Sequence, residues 1–522
     1  MSLAKSLLLG SVAGLISVVG AEAADLPVKA KALEYVKICS LYGSGFYYIP
    51  GTDTCIKFGG YLRAETGLGT NSAYEAASSG VAGAHNRLSN YYYTRSRENL
   101  NIDTRTATEY GLVRTYFESV LTWTSGIYNG NAAAPGSTIY QSLGGGGTVS
   151  PASAPQNASP GAVAGGVLGV YFAFIQFAGF TMGKAISQFA APWTAYPANN
   201  FDGLPGGINT STGVNQFTYT ADFGQGVMAA ISAQDQAAYG TTNVWNVSLA
   251  GAGGILGGTD GGGDIGGTRS PDFVGMVRVD QAWGLFQASV AAHDNHAGYY
   301  AGGVETSGGP PDKWGWAAAL ALSIKNVPTG AGDVLNVQGV YTNGASRYNF
   351  QDLMGTTYAI YGSTGLGGAY QSLGFGGVSD ATFITGGSQE LTTTYGFRGG
   401  FTHNWSPSWN TGVYGAWAAV RYSNTAKGFI CPKIVASVAL SSGVAGCNPD
   451  INYSAVGVIT RWSPVKNLTF SADLAYVMLD QKFASGSTVT APAQVSIAKP
   501  AATYELKDQN SLTLLLRAQR NW

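Results

Sequence analysis

The stretch Gln509-Asn510-Ser511-Leu512-Thr513-Leu514-Leu515-Leu516-Arg517-Ala518-Gln519-Arg520-Asn521-Trp522 decides the fold. Leu512, Leu514, Leu516, Ala518 and Trp522 share one parity, while Gln509, Ser511, Thr513, Arg517, Gln519 and Asn521 share the other. A strand turns successive side chains to opposite faces, so this is one strand with an oily side and a wet side. Apolar residues outward to lipid, with an aromatic at the interface, are what a closing strand of an outer-membrane barrel carries. Leu515 and Arg520 break the pattern, on the wet and oily sides respectively.

The other end of the chain points to export. Lys5, the apolar run Leu7 to Val19 and the small-x-small site Ala21-Glu22-Ala23 read as a cleaved signal peptide over residues 1–23. That run is short for a membrane-spanning helix, and no later stretch is long and uncharged enough to be one. Any membrane insertion is therefore expected to be by strands. The 75 Gly, 30 Tyr and 11% charged residues suit turns and aromatic girdles better than helices. A mean hydropathy near zero does not oppose this, because a barrel hides its lipid face in alternation. The net charge of −1 argues against a nucleic-acid binder, which needs a basic excess.

Four cysteines form two local pairs, Cys39 with Cys55 and Cys431 with Cys447. In an exported chain such pairs read as disulfides, each contributing about 3 kcal/mol by restricting the unfolded state. Zinc is the weaker reading, since there is no CxxC and histidine is sparse. No metal or cofactor is expected. Residues 24–56, with the Pro50-Gly51 turn signal, read as a periplasmic N-terminal segment stapled by its own disulfide. Residues 57–522 read as the barrel.

Alternation begins at Phe58, with Tyr61, Arg63 and Glu65 inward and Leu62 and Ala64 outward. From Arg95 to Arg105 every odd position is polar: Arg95, Arg97, Asn99, Asn101, Asp103 and Arg105. The next strand puts Arg114, Tyr116 and Glu118 inward against Val113, Phe117 and Leu121 outward. A charge on the lipid side near the midplane costs about 2–4 kcal/mol, so the charged face is the lumen and the lumen holds water. Arg63, Glu65, Arg95, Arg97, Asp103, Arg105, Arg114 and Glu118 are the candidate pore-lining residues, because rings of charge set pore selectivity. Arg398, Arg421, Arg461 and Arg517 are assigned to inward faces of later strands.

Short turns alternate with long segments. Gly224–Gly226, Ala282–Gly284, Trp405–Asn410 and Ser463–Asn467 are short, whereas Thr124–Gly166, Asp235–Pro271, Asn343–Thr392, Ser423–Asn452 and Asp480–Asp508 are long. Short periplasmic turns and long external loops are the barrel rule. The count is about 16 strands, a size that leaves an aqueous channel. The expected fold is an all-β transmembrane antiparallel β-barrel.

Several blocks carry a family resemblance. Tyr35-Val36-Lys37-Ile38-Cys39 and Phe46-Tyr47-Tyr48-Ile49-Pro50-Gly51-Thr52-Asp53-Thr54-Cys55 come first. Tyr93-Thr94-Arg95-Ser96-Arg97, Thr108-Glu109-Tyr110-Gly111 and the run Ala173 to Lys184 follow. Together they resemble the porins of rhizobial and related alphaproteobacteria. The resemblance implies a homotrimer in outer-membrane lipid that passes small hydrophilic solutes and ions. It also implies an inward-folded third loop after Gly183-Lys184. Lys184 stands where the family leads one to expect Arg, and Gln188 to Trp193 is less acidic than expected. The composition of Ile186–Gly213 agrees with an inward loop: Phe189, Trp193, Tyr196 and Phe201 suit a segment that buries something. Lys184, Gln188, Phe189, Trp193 and Asp202 are its candidate constriction residues.

The expected function is passive diffusion, with no chemical step. The alternatives are a substrate-selective channel with an aromatic track for sugars, an outer-membrane barrel enzyme such as a lipase, and an exported β-protein without a pore. The enzyme draws little support, because of four histidines only His403 falls on a lipid face. His293-Asp294-Asn295-His296 reads as a satisfied surface pair rather than a metal site.

Overall fold

A computed structural model describes residues 37–69, 83–87, 89, 91–124, 167–193, 204–236, 242–252, 255, 265–351, 354 and 357–522. The expected signal peptide, residues 125–166, Tyr196, Phe201 and Asp202 lie outside them. Sixteen strands form the wall: β1 (Cys55–Leu68), β2 (Tyr92–Thr108), β3 (Gly111–Thr124), β4 (Val167–Phe177), β5 (Phe180–Ala185), β6 (Val214–Asp222), β7 (Val227–Gln234) and β8 (Asp272–Gln281). The second half is β9 (Gly284–Asn295), β10 (Lys313–Lys325), β11 (Val334–Asn343), β12 (Thr393–Ser406), β13 (Trp409–Arg421), β14 (Ile451–Val465), β15 (Leu468–Gln481) and β16 (Gln509–Asn521). Each strand pairs antiparallel with its neighbours in sequence, and β16 pairs with β1 from Leu514↔Leu68 to Asn521↔Tyr61. The sheet is a closed barrel. Closure removes the exposed edges that a sheet otherwise leaves unpaired.

Trp522 completes the seam. Its amide donates to the Gly60 carbonyl at 3.1 Å and its carbonyl accepts from Gly60 at 3.2 Å. A Cβ at residue 60 would meet the Asn99 carbonyl oxygen at 2.0 Å and the Trp522 ring at 2.9 Å, so only glycine fits there. Ala178 and Gly179, both at positive φ, make the two-residue turn between β4 and β5 that a tight hairpin favours.

Burial follows the alternation. On β2, Tyr93, Arg95, Arg97, Asn99 and Asp103 are buried inward, whereas Tyr92, Ser96 and Glu98 are exposed outward. Outward aromatics gather at two levels. Trp316, Tyr341, Tyr395 and Trp417 form a row near the long-loop end, with successive centroids 5.3, 6.2 and 5.7 Å apart. Trp409, Trp462 and Phe470 form another near the short turns. Such girdles mark the membrane interfaces.

Among the described residues, the long loops after β11, β13 and β15 are packed rather than splayed. Thr357–Gly362 and Gln371–Gly377 from the β11–β12 loop share a four-stranded sheet with Thr488–Ala491 and Ala502–Leu506 from the β15–β16 loop. Helix α1 (Asn424–Val438) lies in the β13–β14 loop; the Ser423 hydroxyl caps it by accepting from Ala426 N at 3.0 Å. This helix qualifies the all-β expectation. Ile430, Ile434, Leu373 and Tyr358 from these loops form one apolar cluster with Ile451, Tyr453, Val477 and Leu515 from the wall. Leu515 sits on the wet parity because a loop covers it.

Both disulfides are formed, Cys39–Cys55 with Cα atoms 6.0 Å apart and Cys431–Cys447 with Cα atoms 5.7 Å apart. The first staples Tyr47–Tyr48 onto the start of β1, placing Phe46 under the guanidinium of the inward Arg105, 4.8 Å from the ring centroid. The wall begins at Cys55, slightly before Phe58.

Two assignments in the wall need correction. Arg421 faces outward: its register partner is Thr393, on the outward parity of β12, and its guanidinium lies 5.7 Å from the outward Tyr395 ring. It ends its strand one residue beyond the inward-facing Val420, and the expectation missed that parity. His293 is no surface residue. It is fully buried, 2.8 Å from Asp272, while the neighbouring His296 pairs with Asp312 at 2.6 Å.

Candidate functional site: the lumenal wall and the inward loop

The inner faces of β1, β2, β3, β14, β15 and β16 bring together Lys57, Arg63, Arg95, Arg97, Arg105, Arg114, Arg461 and Arg517. Against them stand Glu65, Asp103, Glu118 and Asp473, so cations outnumber carboxylates two to one. Two carboxylates each hold two arginines. Glu65 accepts from Arg95 and, at 2.7 Å, from Arg517 Nε. Asp103 accepts from Arg105 Nη2 and from Arg114 Nη2, both at 3.0 Å. Glu118 is held by neutral donors, Asn99 Nδ2 at 2.7 Å and Tyr116 OH at 2.6 Å. Arg63 Nε reaches Gln519 Oε1 at 2.8 Å, and Arg97 Nε reaches Thr122 Oγ1 at 3.2 Å.

These residues divide by exposure. Arg95, Arg97 and Glu65 are 1%, 4% and 5% exposed, so they hold the wall more than they meet solvent. Arg105 and Arg114 keep a quarter of their side chains exposed, close to the N-terminal segment. Arg114 also lies against an aromatic step, 5.2 Å from the Tyr116 ring centroid and 5.6 Å from that of Phe174. The two rings stack at 5.4 Å.

The opposite arc carries the loop. After the six residues of β5 the chain turns inside, and small apolar residues on the inner faces of β8 to β11 receive it. Phe189, Ala190 and Ile208 pack on Val274, Ala291, Ala317, Ala319 and Val340. Gln287, inward on β9, donates to the Ala190 carbonyl at 2.9 Å and the Gln188 carbonyl at 3.3 Å. Ser187 Oγ donates to Gln234 Oε1 at 2.7 Å. On the return arm Arg398 Nη2 donates to the Ile208 carbonyl at 2.7 Å, and Gly206 N donates to the Asn349 carbonyl at 2.9 Å. The loop therefore spans the lumen side of seven strands, β6 to β12.

The candidate loop residues do not share one role. Phe189 is fully buried and anchors the loop; its ring lies 4.6 Å from that of Tyr348. Gln188 Nε2 donates to Gln216 Oε1 at 3.3 Å. Trp193 is half-buried and its carbonyl accepts from Thr210 at 3.3 Å. Lys184 is on the outward parity, paired with Ala173, and its Nζ donates to the Val170 carbonyl and to Thr212 Oγ1 at 2.9 Å. It ties down the loop's root instead of facing the passage. The anchors Gln287 and Arg398 were not singled out as loop contacts. Their signal was an amide or a guanidinium at an inward position beside small apolar neighbours.

Comparison with known proteins fits this geometry. The chain matches the family described as "Porin subfamily" over residues 25–515. It is 29% identical to porin Omp2b of Brucella suis and to that of Brucella melitensis over 295 residues, 56% of this chain. That match spans 66% of the length of each relative, just short of two thirds. The structure resembles the outer membrane channel DcaP of Acinetobacter baumannii with a TM-score of 0.54 at 13% identity, covering 91% of this chain and 99% of that one. That likeness concerns the fold alone.

Proposed function

This chain belongs to the porin subfamily, and from that premise we propose that it is a passive diffusion channel of the outer membrane for small hydrophilic solutes and ions. The observation that carries the proposal is a closed wall whose inner face is charged, with the described arms of the loop after β5 packed along the lumen side of β6 to β12. Ionised side chains need water or partners, and a wall of 16 strands is wide enough to hold water. The two-to-one surplus of cations on one arc favours anions among the small solutes that enter. Reversal potential of single channels in a salt gradient tests this: an anion-favouring sign is expected, and a cation-favouring sign refutes the weighting.

The assembly is a homotrimer in this reading. Glu98 supports it, since it points outward beside Leu62 and Leu121, where lipid would leave its carboxylate unsatisfied. A neighbouring copy covering the outward Thr94, Ser96 and Glu98 removes that cost. Chain mass in detergent before and after Glu98→Arg tests it. The proposed chain order is an export signal over 1–23, a stapled periplasmic segment over 24–56 and the barrel from 57. Mass spectrometry of the mature N-terminus checks the first boundary.

The aromatic step of Tyr116 and Phe174 beside Arg114 favours one second reading, a track selective for a ring-bearing solute. Block of conductance by such a solute at low concentration would favour it over general diffusion.

A further inference from the structure

We propose that the outer wall over β11, β12 and β13 binds one phosphorylated lipid of the outer leaflet, with an acyl chain in a glycine-floored groove and the phosphate at Arg421. The groove has a volume of about 720 Å³. Its floor is formed by outward Gly339, Gly399 and Gly415, and its sides by Phe286, Leu320, Val337, Phe397 and Trp417.

The fold itself does not require two of these glycines. Gly339 and Gly415 lack positive φ, and a Cβ there would meet its nearest neighbours at 3.8 and 3.5 Å, ordinary contact distances. Their lack of side chains serves the depth of the groove rather than the packing of the wall. A concave apolar strip on the lipid side suits a flexible hydrocarbon chain, each buried methylene contributing about 0.8 kcal/mol.

The groove leads toward a cation. Trp417 and Arg421 share the outward parity of β13, four residues or about 13 Å apart. Between them Tyr395 bridges, 5.7 Å from the Trp417 ring and 5.7 Å from the Arg421 guanidinium. Arg421 donates to the Val420 and Ile451 carbonyls at 2.9 Å and to Asn452 Oδ1, all neutral acceptors. The carboxylates around the rim have other donors: Asp480 is shared by Asn452 and Lys482, Asp450 by Tyr422 N and Lys427, Glu390 accepts from Ser423 and Asp508 from Gln481 N. The rim lies at the long-loop end, where outer-leaflet headgroups are. A planar guanidinium there suits a phosphate. A second copy of the chain is the weaker occupant, because the outward polar residues that need covering lie on β2, on another arc of the wall.

The test uses the full-length barrel, delipidated in detergent and incubated with bisphosphorylated lipid A, with retained lipid counted by native mass spectrometry. Wild type is expected to keep one lipid and to prefer the bisphosphorylated over the dephosphorylated form. Gly415→Leu, which fills the groove from outside, is expected to lower retention about tenfold. Arg421→Gln is expected to abolish the preference between the two forms. Leu168→Ala, outward on β4, should change nothing. Folding of each variant is read from heat-modifiable gel mobility, and Gly339→Leu replaces Gly415→Leu should the latter not fold. Wild-type retention by the groove-filling variants, or no preference in wild type, overturns the proposal. So does a loss of oligomer mass on filling the groove with lipid retention intact, which assigns the groove to a second copy.

Discussion

Arg517 donates its Nε to Glu65 at 2.7 Å, joining the last strand of the wall to the first across 452 residues of sequence. Arg95 donates to the same carboxylate from β2, so one acid clamps three adjacent strands at the seam. Glu65 is 5% exposed, and removing one partner of a buried ion pair costs about 3–5 kcal/mol. Glu65→Gln leaves two guanidiniums at the seam without their carboxylate. The expected outcome is a lower temperature for loss of the folded band in heat-modifiable gel mobility. Unchanged heat resistance would show that the seam is held by its backbone ladder alone.

Ion selectivity should follow exposure rather than charge alone. Arg105 and Arg114 share Asp103 and remain partly exposed, whereas Arg97 is 4% exposed. Arg105→Glu with Arg114→Glu is expected to move the reversal potential toward cations, by more than Arg97→Glu does. The Arg97 variant is expected to act mainly on folding yield. Equal shifts from both would mean that the buried and exposed arginines meet permeant ions alike.

The described return arm of the inward loop is fastened by Arg398, by Gln351 Nε2 at the Leu204 carbonyl and by Asn349 at Gly206 N, and the charged one of these fasteners can be removed by itself. The bond from Arg398 to the Ile208 carbonyl comes from a charged donor and is worth about 1.5–3 kcal/mol. Arg398→Met keeps bulk and loses the donor, a change large enough to populate a detached loop about tenfold more. Single-channel records are expected to show higher and noisier conductance than wild type. A quiet record at wild-type conductance would assign the anchoring to Phe189, Gln287, Asn349 and Gln351.

Much of this was legible in the sequence, for a physical reason. A wall between lipid and water forces period-two alternation, so the run from Arg95 to Arg105 and the closing strand could be read directly. What was not legible is where a loop replaces water. Leu515, Ile451 and Val477 take the wet parity because the external loops fold onto them, and no local pattern announces that. Arg421 ends its strand on the outward parity although a charge there suggests the lumen, and Lys184, expected in the constriction loop from the resemblance, points outward at the loop's root. The inward loop came from resemblance and composition, yet its receiving surface, the small inward residues Ala291, Ala317 and Ala319, was already written in the strands.

The external loops are also tied down by charge, and this gives a pH dependence with a definite sign. Asp380, in the β11–β12 loop, accepts from the Ser346 amide and hydroxyl at 2.6 and 2.7 Å and from the Thr242 amide at 2.6 Å. Its other neighbour is His293 of the wall at 3.7 Å, itself held by Asp272, which also accepts from Tyr348 OH at 2.6 Å. Burial works against the Asp380 carboxylate, but His293, Thr242 and Ser346 together hold it below the ordinary value of 3.8. A depressed carboxylate contributes stability in full above its unfolded value and loses it as pH falls through the folded one. The loop is thus expected to stay docked from neutral pH down to about 4 and to loosen only in stronger acid. Hydrogen exchange at residues 346–350 across that range checks this. Asp380→Asn should expose the same amides at neutral pH and flatten their acid response, whereas protection unchanged by the substitution would locate the anchor in the apolar cluster instead.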